Sequence, residues 1–343
     1  MVFTTPAIRG LREQYPHAHL AYVVQRTAAP VVANNPHLDE VIVTSGRRGL
    51  AGLRDDVALA AKLRAARYDT VIDFHSGPRS SLLAWLSGAP IRVGYEVPGR
   101  GWMYTVRVPR PREIRSRHAV ENQWDLLNAI GISIPDAGRS PVEMVVDQGA
   151  ADGVRGRLVR AGVHSDHRVI VVHVSAGNPF RRWPLDSFTA LVAQLVRANA
   201  SRRVIVISGP SERAAAAQVI ERARALVGPV CAESVLDCGE FDLEELRALV
   251  DRAALFIGGD SGPMHIASTS AVPIVGLYGP TLPVRSAPWR SSQWPSEAAE
   301  VGGLPCRPCD QRTCVPGDFR CLTWLTPEQV ANAAERALRR SIG

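Results

Sequence analysis

The sequence has 343 residues, of which 46% are hydrophobic and 21% charged, so it is typical of a globular protein and not of a disordered or fibrous one. At about 150 residues per domain, this length predicts two domains with a cleft between them. No apolar run approaches the roughly 20 residues that cross a bilayer, and MVFTTPAIRG lacks the pattern of a secretion signal, so we expect a cytoplasmic protein. The net charge of +7 comes almost entirely from arginine, which suits an anionic partner, although genomic composition explains the same bias equally well.

Short runs rich in Val and Ile alternate with helix-length segments, which is typical of βαβ units with parallel sheets. The first half contains AHLAYVV, EVIVT, YDTVIDF and IRVGY, and the second contains RVIVVHV, RRVIVISG, ALFIGG and VPIVGLYG. The Pro- and Gly-rich segment GISIPDAGRSPVEMVVDQ interrupts the pattern, and a helix is predicted to begin near Gly149. We therefore predict two doubly wound α/β domains, 1–148 and 149–343, that present their strand ends to a central cleft.

The end of the chain predicts a closing helix over 327–341. In TPEQVANAAERALRRS, Thr326 is the expected N-cap and Pro327 the first helical residue, with basic residues in the last turn. The pattern leaves open which domain this helix packs against.

The first two strand ends of the second half carry residues suited to a phosphate. After RVIVVHV come the small residues Ser175, Ala176 and Gly177, and then Arg181, which can neutralise an anion. A solvated loop is the alternative for this segment, with Trp183 packed beneath it. After VIVISGP, Ser211 is predicted as an N-cap and Glu212 falls in the first helical turn, where it suits either a sugar hydroxyl or the helix dipole.

The next strand is followed by GGDSGPMHIA, which crowds an acid, a hydroxyl, a glycine and a histidine into one turn. Asp260 or Ser261 can cap the helix that follows, and free N–H groups near Gly262 favour an anion. His265 would lie at the same mouth, although a cap and a core histidine explain these residues as well. VPIVGLYGPT then ends in a second glycine turn at Thr281, and adjacent strand ends build one pocket.

Several common ligand motifs are missing from the sequence. No G-x-G-x-x-G follows a strand, no P-loop is present, no D-x-D could hold a metal-diphosphate complex, and no G-x-S-x-G occurs. We therefore expect no cofactor. Cys306, Cys309, Cys314 and Cys321 have the spacing C-x2-C-x4-C-x6-C in a Pro-, Gly- and Arg-rich loop over 302–322. Because paired C-x2-C knuckles are absent, a metal site there is the less favoured interpretation and packed or redox-labile thiols the more favoured one.

These segments together resemble glycosyltransferase family nine, the ADP-heptose:lipopolysaccharide heptosyltransferases. In the second half the resemblance rests on RRWP, DSGPMHIAS and VPIVGLYGPTLP. In the first half it rests on TTPAIRGLREQYPHAHL, NPHLDEVI, DFHSGPRSSLLAWLSGAPIRVGY and HAVENQWDLLNAIGI. The segments follow the family's order and cover nearly the whole chain.

The resemblance implies a GT-B fold and an inverting, metal-independent transfer of heptose from ADP-heptose to the inner core of a growing lipopolysaccharide. The acceptor would bind the N-terminal domain and the nucleotide-sugar the C-terminal one. The transfer would take place at the cytoplasmic face of the inner membrane. The protein would be in peripheral contact with anionic lipid and would bind no nucleic acid. By motif, Arg181 meets the diphosphate, and Asp260, Ser261, Gly262 and His265 form the donor-binding turn.

Three further roles complete this expectation. Glu212 falls near the family's nucleoside-contacting acid. The arginine surplus suits a phosphorylated glycolipid acceptor, for which Arg79 and Arg100 are the candidate residues. Ser175 and Thr281 stay donor-side candidates from their positions at strand ends.

One departure from the family concerns the catalytic base. Members usually carry an extra strand and a Gly-Asp pair just before the stretch that reads VFTTPAIRG here, and that aspartate is thought to be the base. Here Met1 stands at that place, so we expect a start assigned about a dozen residues late, judged from ordinary strand length. An inverting transfer needs a base beside the acceptor hydroxyl, and Asp73 and His75 are weak substitutes from strand-end position alone.

Three other functions stay open at this point. The chain could transfer another sugar or use another acceptor within the same family. It could bind a nucleotide-sugar without catalysis, because the base is missing. The four clustered cysteines and the positive charge also raise a zinc-dependent nucleic-acid binder, which lacks any recognised reading module.

Overall fold

A computed structural model describes residues 1–47, 49–110, 117–133 and 136–341. By their internal contacts the residues form two compact units, Met1 with Phe3–Ser140 and Val2 with Pro141–Gly343. The sequence predicts a boundary at residue 148, but the internal contacts place it after Ser140. The reason is that the segment from Pro141 onwards is hydrogen-bonded to the second unit. The Val142 N–H donates to the Trp289 carbonyl, and Arg247 donates to the Met144 carbonyl. A helix begins at Gln148, close to the predicted position.

In the first half of the chain, the strands follow the predicted runs, with β5 in addition. Short 3-10 turns cover Val2–Thr4, Arg26–Val31 and Gly101–Met103. The strands are β1 (Ala21–Gln25), β2 (Glu40–Thr44), β3 (Thr70–Asp73), β4 (Ile91–Glu96) and β5 (Val106–Pro109). The helices are α1 (Thr5–Gln14), α2 (Gly49–Ala65), α3 (Pro78–Leu86) and α4 (Ala119–Asn128).

The second half begins with α5 and ends with α13. The strands are β6 (Arg168–His173), β7 (Arg202–Ile207), β8 (Val235–Leu236), β9 (Leu255–Gly259), β10 (Ile274–Tyr278) and β11 (Ser296–Glu300). The longer helices are α5 (Gln148–Arg160), α6 (Leu185–Ala198), α7 (Arg213–Val227), α9 (Leu243–Val250) and α13 (Pro327–Arg340). The short ones are α8 (Pro229–Ala232), α10 (Gly262–Ala267), α11 (Pro283–Ser286) and α12 (Arg320–Thr323), with 3-10 turns at Pro179–Arg181 and Pro210–Glu212.

The second unit contains a six-stranded parallel sheet with the order β11-β10-β9-β6-β7-β8. The order reverses between β6 and β9, as in a doubly wound fold, so their carboxyl ends flank a switch point. The central strands are buried on both faces, which explains their unbroken apolar runs. The α/β class with parallel sheets is confirmed.

The first unit differs from the single doubly wound sheet that the sequence predicts. Its described strands form two separate parallel sheets, β1-β2 and β3-β4-β5. Residues 20–25 along β1 and 70–74 along β3 line one cavity of about 1610 Å³, with residues from α1 on its wall. Because consecutive residues of each strand face this cavity, the edges of β1 and β3 border the same groove.

The closing helix packs on the second unit. Thr326 caps α13 by accepting from the Gln329 N–H at 3.3 Å, as predicted. Its apolar face joins the core that covers β6 and β7, through Val330, Ala334 and Leu338. Trp183 lies in the same core, as expected, and its indole N–H donates to the Leu325 carbonyl at 2.9 Å. None of the helices in the described ranges is long and apolar enough to span a bilayer.

Candidate functional site

The candidate site lies at the carboxyl ends of β6, β7, β9 and β10 in the second unit. Ser175 follows β6, Glu212 follows β7, Asp260 follows β9 and Thr281 follows β10. The structure gathers the predicted donor residues into two groups. One surrounds Asp260, the other surrounds Ser175, and the consecutive residues Arg181 and Arg182 connect them.

Asp260 is the centre of the first group and is only 2% exposed. Its Oδ2 accepts from Thr281 Oγ1 at 2.6 Å and lies 3.1 Å from Arg181 Nη1, while Oδ1 lies 3.5 Å from His265 Nε2. Burial alone would raise the pKa of this carboxyl, but the nearby imidazole of His265, the hydrogen bond from Thr281 and the charge of Arg181 lower the pKa below its ordinary value. Asp260 is therefore an ionised carboxylate that is fixed by its partners and poorly suited to accept a substrate proton.

The helix that follows corrects two details of the sequence interpretation. Ser261 occupies the N-cap position of α10 but makes no side-chain cap bond, and its Oγ donates to the Gly259 carbonyl at 3.2 Å. Asp260 is not a cap, because its carboxylate bonds sideways to Thr281 and Arg181. α10 has six residues, so its dipole is a small contribution and the charge of Arg181 the larger one.

Arg181 is held by two segments that are distant in sequence. Nη1 donates to the Asp260 carbonyl at 3.0 Å, and Nε donates to Gln311 Oε1 at 2.8 Å. No side chain in the described part of the molecule accepts from Nη2, and 29% of the Arg181 side chain is exposed. A Cβ placed on Gly177 or on Gly262 would meet no atom within 4 Å, so open space adjoins both loops. The first group can therefore offer an oriented N–H donor to an anion in that space.

The second group ties Ser175 and Glu212 to the protein itself. Ser175 Oγ accepts from the Gly209 N–H at 3.0 Å and lies 3.1 Å from His173 Nε2. Glu212 Oε1 accepts from Arg182 Nη2 at 2.7 Å, and Oε2 accepts from the Ser211 hydroxyl at 2.8 Å. Ser211 is therefore not the predicted N-cap. The caps are Gly209 for the 3-10 turn and Glu212 for α7.

The cysteine-rich loop contributes residues that the sequence interpretation missed. Gln311 has a φ of 60° and accepts from both Asn178 Nδ2 and Arg181 Nε at 2.8 Å. Arg307 donates to the Thr281 carbonyl at 2.8 Å, and the Cys309 N–H donates to the Pro280 carbonyl at 3.3 Å. Only the cysteines marked this loop in the sequence, and nothing there signals that Gln311 reaches Arg181.

The four loop cysteines are free thiols. Cys321 is buried and burial raises its pKa, whereas Cys306, Cys309 and Cys314 are half-buried. Within the described ranges, no group of three His, Cys, Asp or Glu side chains is arranged to hold a metal ion. The metal interpretation therefore gains no support from the geometry.

The first-half candidates lie in the first unit and are engaged with it to different degrees. Asp73 is buried, and its carboxylate accepts from the His75 and Ser76 N–H groups at 3.0 and 2.8 Å and from the Tyr104 hydroxyl at 2.7 Å. It therefore holds a turn and is not free to act as a base. His75 is exposed beside the groove. Arg79 forms an ion pair with Asp56 at 2.5 Å, and Arg100 Nε is buried without a hydrogen-bond partner among the described residues.

The second unit's strand order and its strand-end arginine and carboxylate fit the family that the sequence resembles. A family model described as "Glycosyltransferase family 9 (heptosyltransferase)" matches residues 57–318. The chain belongs to glycosyltransferase family 9. It is accordingly a glycosyltransferase, and the prediction of family is confirmed.

Individual family members agree with this assignment. Lipopolysaccharide heptosyltransferase 3 of Escherichia coli is 26% identical over 319 residues, which is 91% of this chain and 89% of that protein. A glycosyl transferase family 9 structure from Veillonella parvula DSM 2008 matches with a TM-score of 0.84 at 25% identity, over 99% of this chain and 94% of that one. The structure of E. coli ADP-heptose lps heptosyltransferase II matches with a TM-score of 0.76 at 19% identity, over 100% and 96%. The fold is that of these glycosyltransferases, as the GT-B expectation requires.

The buried His173 generates a prediction about stability and pH. Burial lowers its pKa from 6.5 to about 4, so the unfolded chain binds a proton more readily between those values. Stability is therefore fully present above pH 6.5 and falls as the pH drops towards 4, by about 3 kcal/mol from this group. We expect His173→Gln to remove that part of the pH dependence in denaturant unfolding measured across this range. The exposed His17→Gln is the control, and an unchanged slope for His173→Gln would contradict the prediction.

Gln311 generates a second prediction. Gln311→Gly keeps the left-handed backbone without steric strain but removes the acceptor that orients Arg181 Nε. Loss of one hydrogen bond to a charged group predicts about tenfold weaker binding of inorganic pyrophosphate, used as an anionic probe, by calorimetry. The exposed Gln293→Gly, elsewhere in the second unit, should bind as the unaltered protein does. Equal pyrophosphate affinity for Gln311→Gly would show that the loop does not position Arg181.

Proposed function

We propose that this protein is an inverting, metal-independent transferase that moves heptose from ADP-heptose to the inner core of lipopolysaccharide or a related glycolipid. The observation that carries the proposal is the Arg181 guanidinium held beside the buried Asp260 carboxylate, next to open space at Gly177 and Gly262. Family membership supports the reaction class. The E. coli relatives named as heptosyltransferases support the sugar and the donor.

The chemistry assigned to the site follows from charge. In the transfer, the bond between the sugar and the diphosphate breaks, the acceptor oxygen bonds to the sugar, and the acceptor proton goes to a base. Negative charge develops on the departing ADP and needs a fixed donor or cation. Arg181 supplies that charge through Nη2, and Asp260, Thr281 and Gln311 keep the guanidinium in place. Glu212 and Ser175, which are engaged with Arg182 and His173, would form the nucleoside end of the pocket.

The acceptor side is proposed for the first unit. A phosphorylated glycolipid would meet Arg79 and Arg100, and Arg79 would have to share or exchange its ion pair with Asp56. Arg100 keeps a buried Nε with no described partner, which suits an anionic group that satisfies it. The protein would work at the cytoplasmic face of the inner membrane, in peripheral contact with anionic lipid.

The function can be tested on ADP binding and on ADP release. The unaltered protein should bind ADP, and Arg181→Ala should weaken binding by about 10- to 100-fold because a charge-assisted hydrogen bond is lost. Arg155→Ala, on the exposed side of α5, is the matched control. In a chain that also carries the added strand and base proposed below, ADP release should require ADP-heptose and a deep-rough lipopolysaccharide, and a chelator should leave it unchanged.

The outcomes of this test separate the alternatives. Failure of the unaltered protein to bind ADP would overturn the donor assignment. Release with a different nucleotide-sugar would keep the family and change the substrate. ADP binding without turnover, even in a chain that carries the added strand proposed below, would favour a binding protein that does not catalyse transfer.

We also propose that the groove between β1 and β3 accepts an additional parallel strand and that the base lies at the carboxyl end of this strand. The two edges face one cavity, and parallel strands are normally paired and covered on both faces. Met1 lines the same cavity, so a strand joined ahead of it could reach the groove. An aspartate at its carboxyl end would lie near Asp73 and His75, at the mouth where the other strands of the unit end.

This proposal predicts the behaviour of a longer chain. A strand of Val and Ile followed by Gly-Asp, joined ahead of Met1, should raise the thermal midpoint and restore or increase ADP release. The same chain with Asn for the added Asp should keep the stability gain and lose the release. A chain whose midpoint does not rise would show that the groove does not take the strand, and equal release by the Asp and Asn forms would exclude the base.

A further inference from the structure

The outer side of α2 carries apolar residues where a surface helix normally carries polar ones. Leu50 is 86% exposed, Leu53 62% and Val57 61%. Their spacing of three and four residues places them in one stripe along the helix. The other side of α2 is packed as expected, because Ala60 and Leu63 join a core cluster with Ile42 and Leu83.

A second group of exposed apolar residues lies on α3 and the turn after β4. Leu82 is 43% exposed, Trp85 42% and Trp102 54%. The rings of Trp85 and Trp102 meet edge to face with centroids 5.5 Å apart, so the two indoles form one exposed pair. The Trp102 N–H is satisfied by the Gly99 carbonyl at 3.1 Å, which leaves its apolar ring outside.

The two groups belong to one surface because α2 and α3 pack side by side. Leu83 of α3 contacts the α2 cluster, and Arg79 of α3 pairs with Asp56 of α2 at 2.5 Å. On each helix a residue three positions away lies beside this ion pair, Leu53 next to Asp56 and Leu82 next to Arg79. We call this surface the α2–α3 face, and its members are Leu50, Leu53, Val57, Leu82, Trp85 and Trp102.

The border of the α2–α3 face is basic. Arg54 and Arg64 project from α2 and are exposed, and Arg64 lies beside Gly88 at the end of α3. The two acids of α2 are neutralised, Asp55 by Arg47 at 2.8 Å and Asp56 by Arg79. Arg100 stands just before Trp102. The surface therefore combines exposed aliphatic groups, a tryptophan pair and bordering arginines, with one exposed acid, Glu96, beside Gly101.

We propose that the α2–α3 face docks the protein on an anionic lipid bilayer. Tryptophan prefers the level of the headgroups, aliphatic side chains enter the acyl boundary, and arginines attract anionic lipid. A second copy of the chain fits less well, because a symmetric contact would bring the basic borders of two copies together. The inference rests on the proposed function in one respect, since a lipid-linked acceptor would then arrive next to Arg79 and Arg100.

Vesicle sedimentation tests the docking surface. The unaltered protein should bind vesicles of phosphatidylethanolamine with phosphatidylglycerol, bind phosphatidylcholine vesicles weakly, and lose binding as salt is added. Leu50→Ser with Leu53→Ser should reduce partitioning by about tenfold, because two exposed aliphatic groups no longer enter the membrane. Trp85→Ser with Trp102→Ser should have a similar effect. A thermal midpoint like that of the unaltered protein would show that the variant with Leu50→Ser and Leu53→Ser is folded.

The matched control changes exposed apolar residues of the second unit. Val230 is 93% exposed and Val315 88%, and Val230→Ser with Val315→Ser should bind vesicles as the unaltered protein does. Equal loss in this control, or no loss in either α2–α3 variant, would overturn the proposal. A dimer in sedimentation that dissociates in the Leu50 and Leu53 variant would assign the surface to a second copy instead.

The same variants separate this inference from the proposed function. Calorimetric binding of ADP should be equal in the unaltered protein and in the α2–α3 variants, because the face belongs to the first unit and the described partners of Arg181 belong to the second. Vesicle binding without ADP binding would keep the docking surface and overturn the donor assignment. ADP binding without vesicle binding would keep the donor assignment and overturn the docking surface.

Discussion

The buried carboxylate of Asp260 is the constraint on which the candidate site depends. An uncompensated charge at this depth would cost several kcal/mol, so the fold must bring partners to it. Those partners come from different segments, Arg181 from the loop after β6 and Thr281 from the turn after β10. His265 adds a third from α10. Satisfying one carboxylate therefore fixes three loops relative to one another, and these loops surround the space next to Gly177 and Gly262.

Part of this site could be predicted from the sequence. The buried strands are runs of Val, Ile and Leu, and polar residues directly after such runs must lie at one edge of a parallel sheet. Asp260, Thr281 and Arg181 were found by this argument, and the structure brings them within bonding distance. Their exact partners could not be found this way, since a strand end admits a cap, a dipole contact or a side-chain bond with equal ease.

The elements that were missed have physical reasons too. β11 reads SEAAE and lies at the edge of its sheet, so its charged residues reflect exposure and do not mark a strand. Gln311 and Arg182 contact residues that are near them in space but distant in sequence. The division of the first unit into two sheets follows from pairing, which the composition of single strands cannot reveal.

The arginine surplus divides into two populations that the sequence could not separate. Several arginines of the second unit are buried and bind the protein itself. Arg290 is 5% exposed, donates to the Ser270, Val272 and Pro295 carbonyls, and has a pKa that burial lowers to about 9. Arg202 pairs with Glu335 in a similar way. Such residues add to the net charge of +7 without being available to a ligand.

The arginines around the α2–α3 face are of the other kind. Arg54 and Arg64 are exposed beside aliphatic side chains that are themselves uncovered. The distribution of the charge, and not its total, therefore argues for an anionic surface as a partner of the first unit and for a single anionic group at Arg181 in the second.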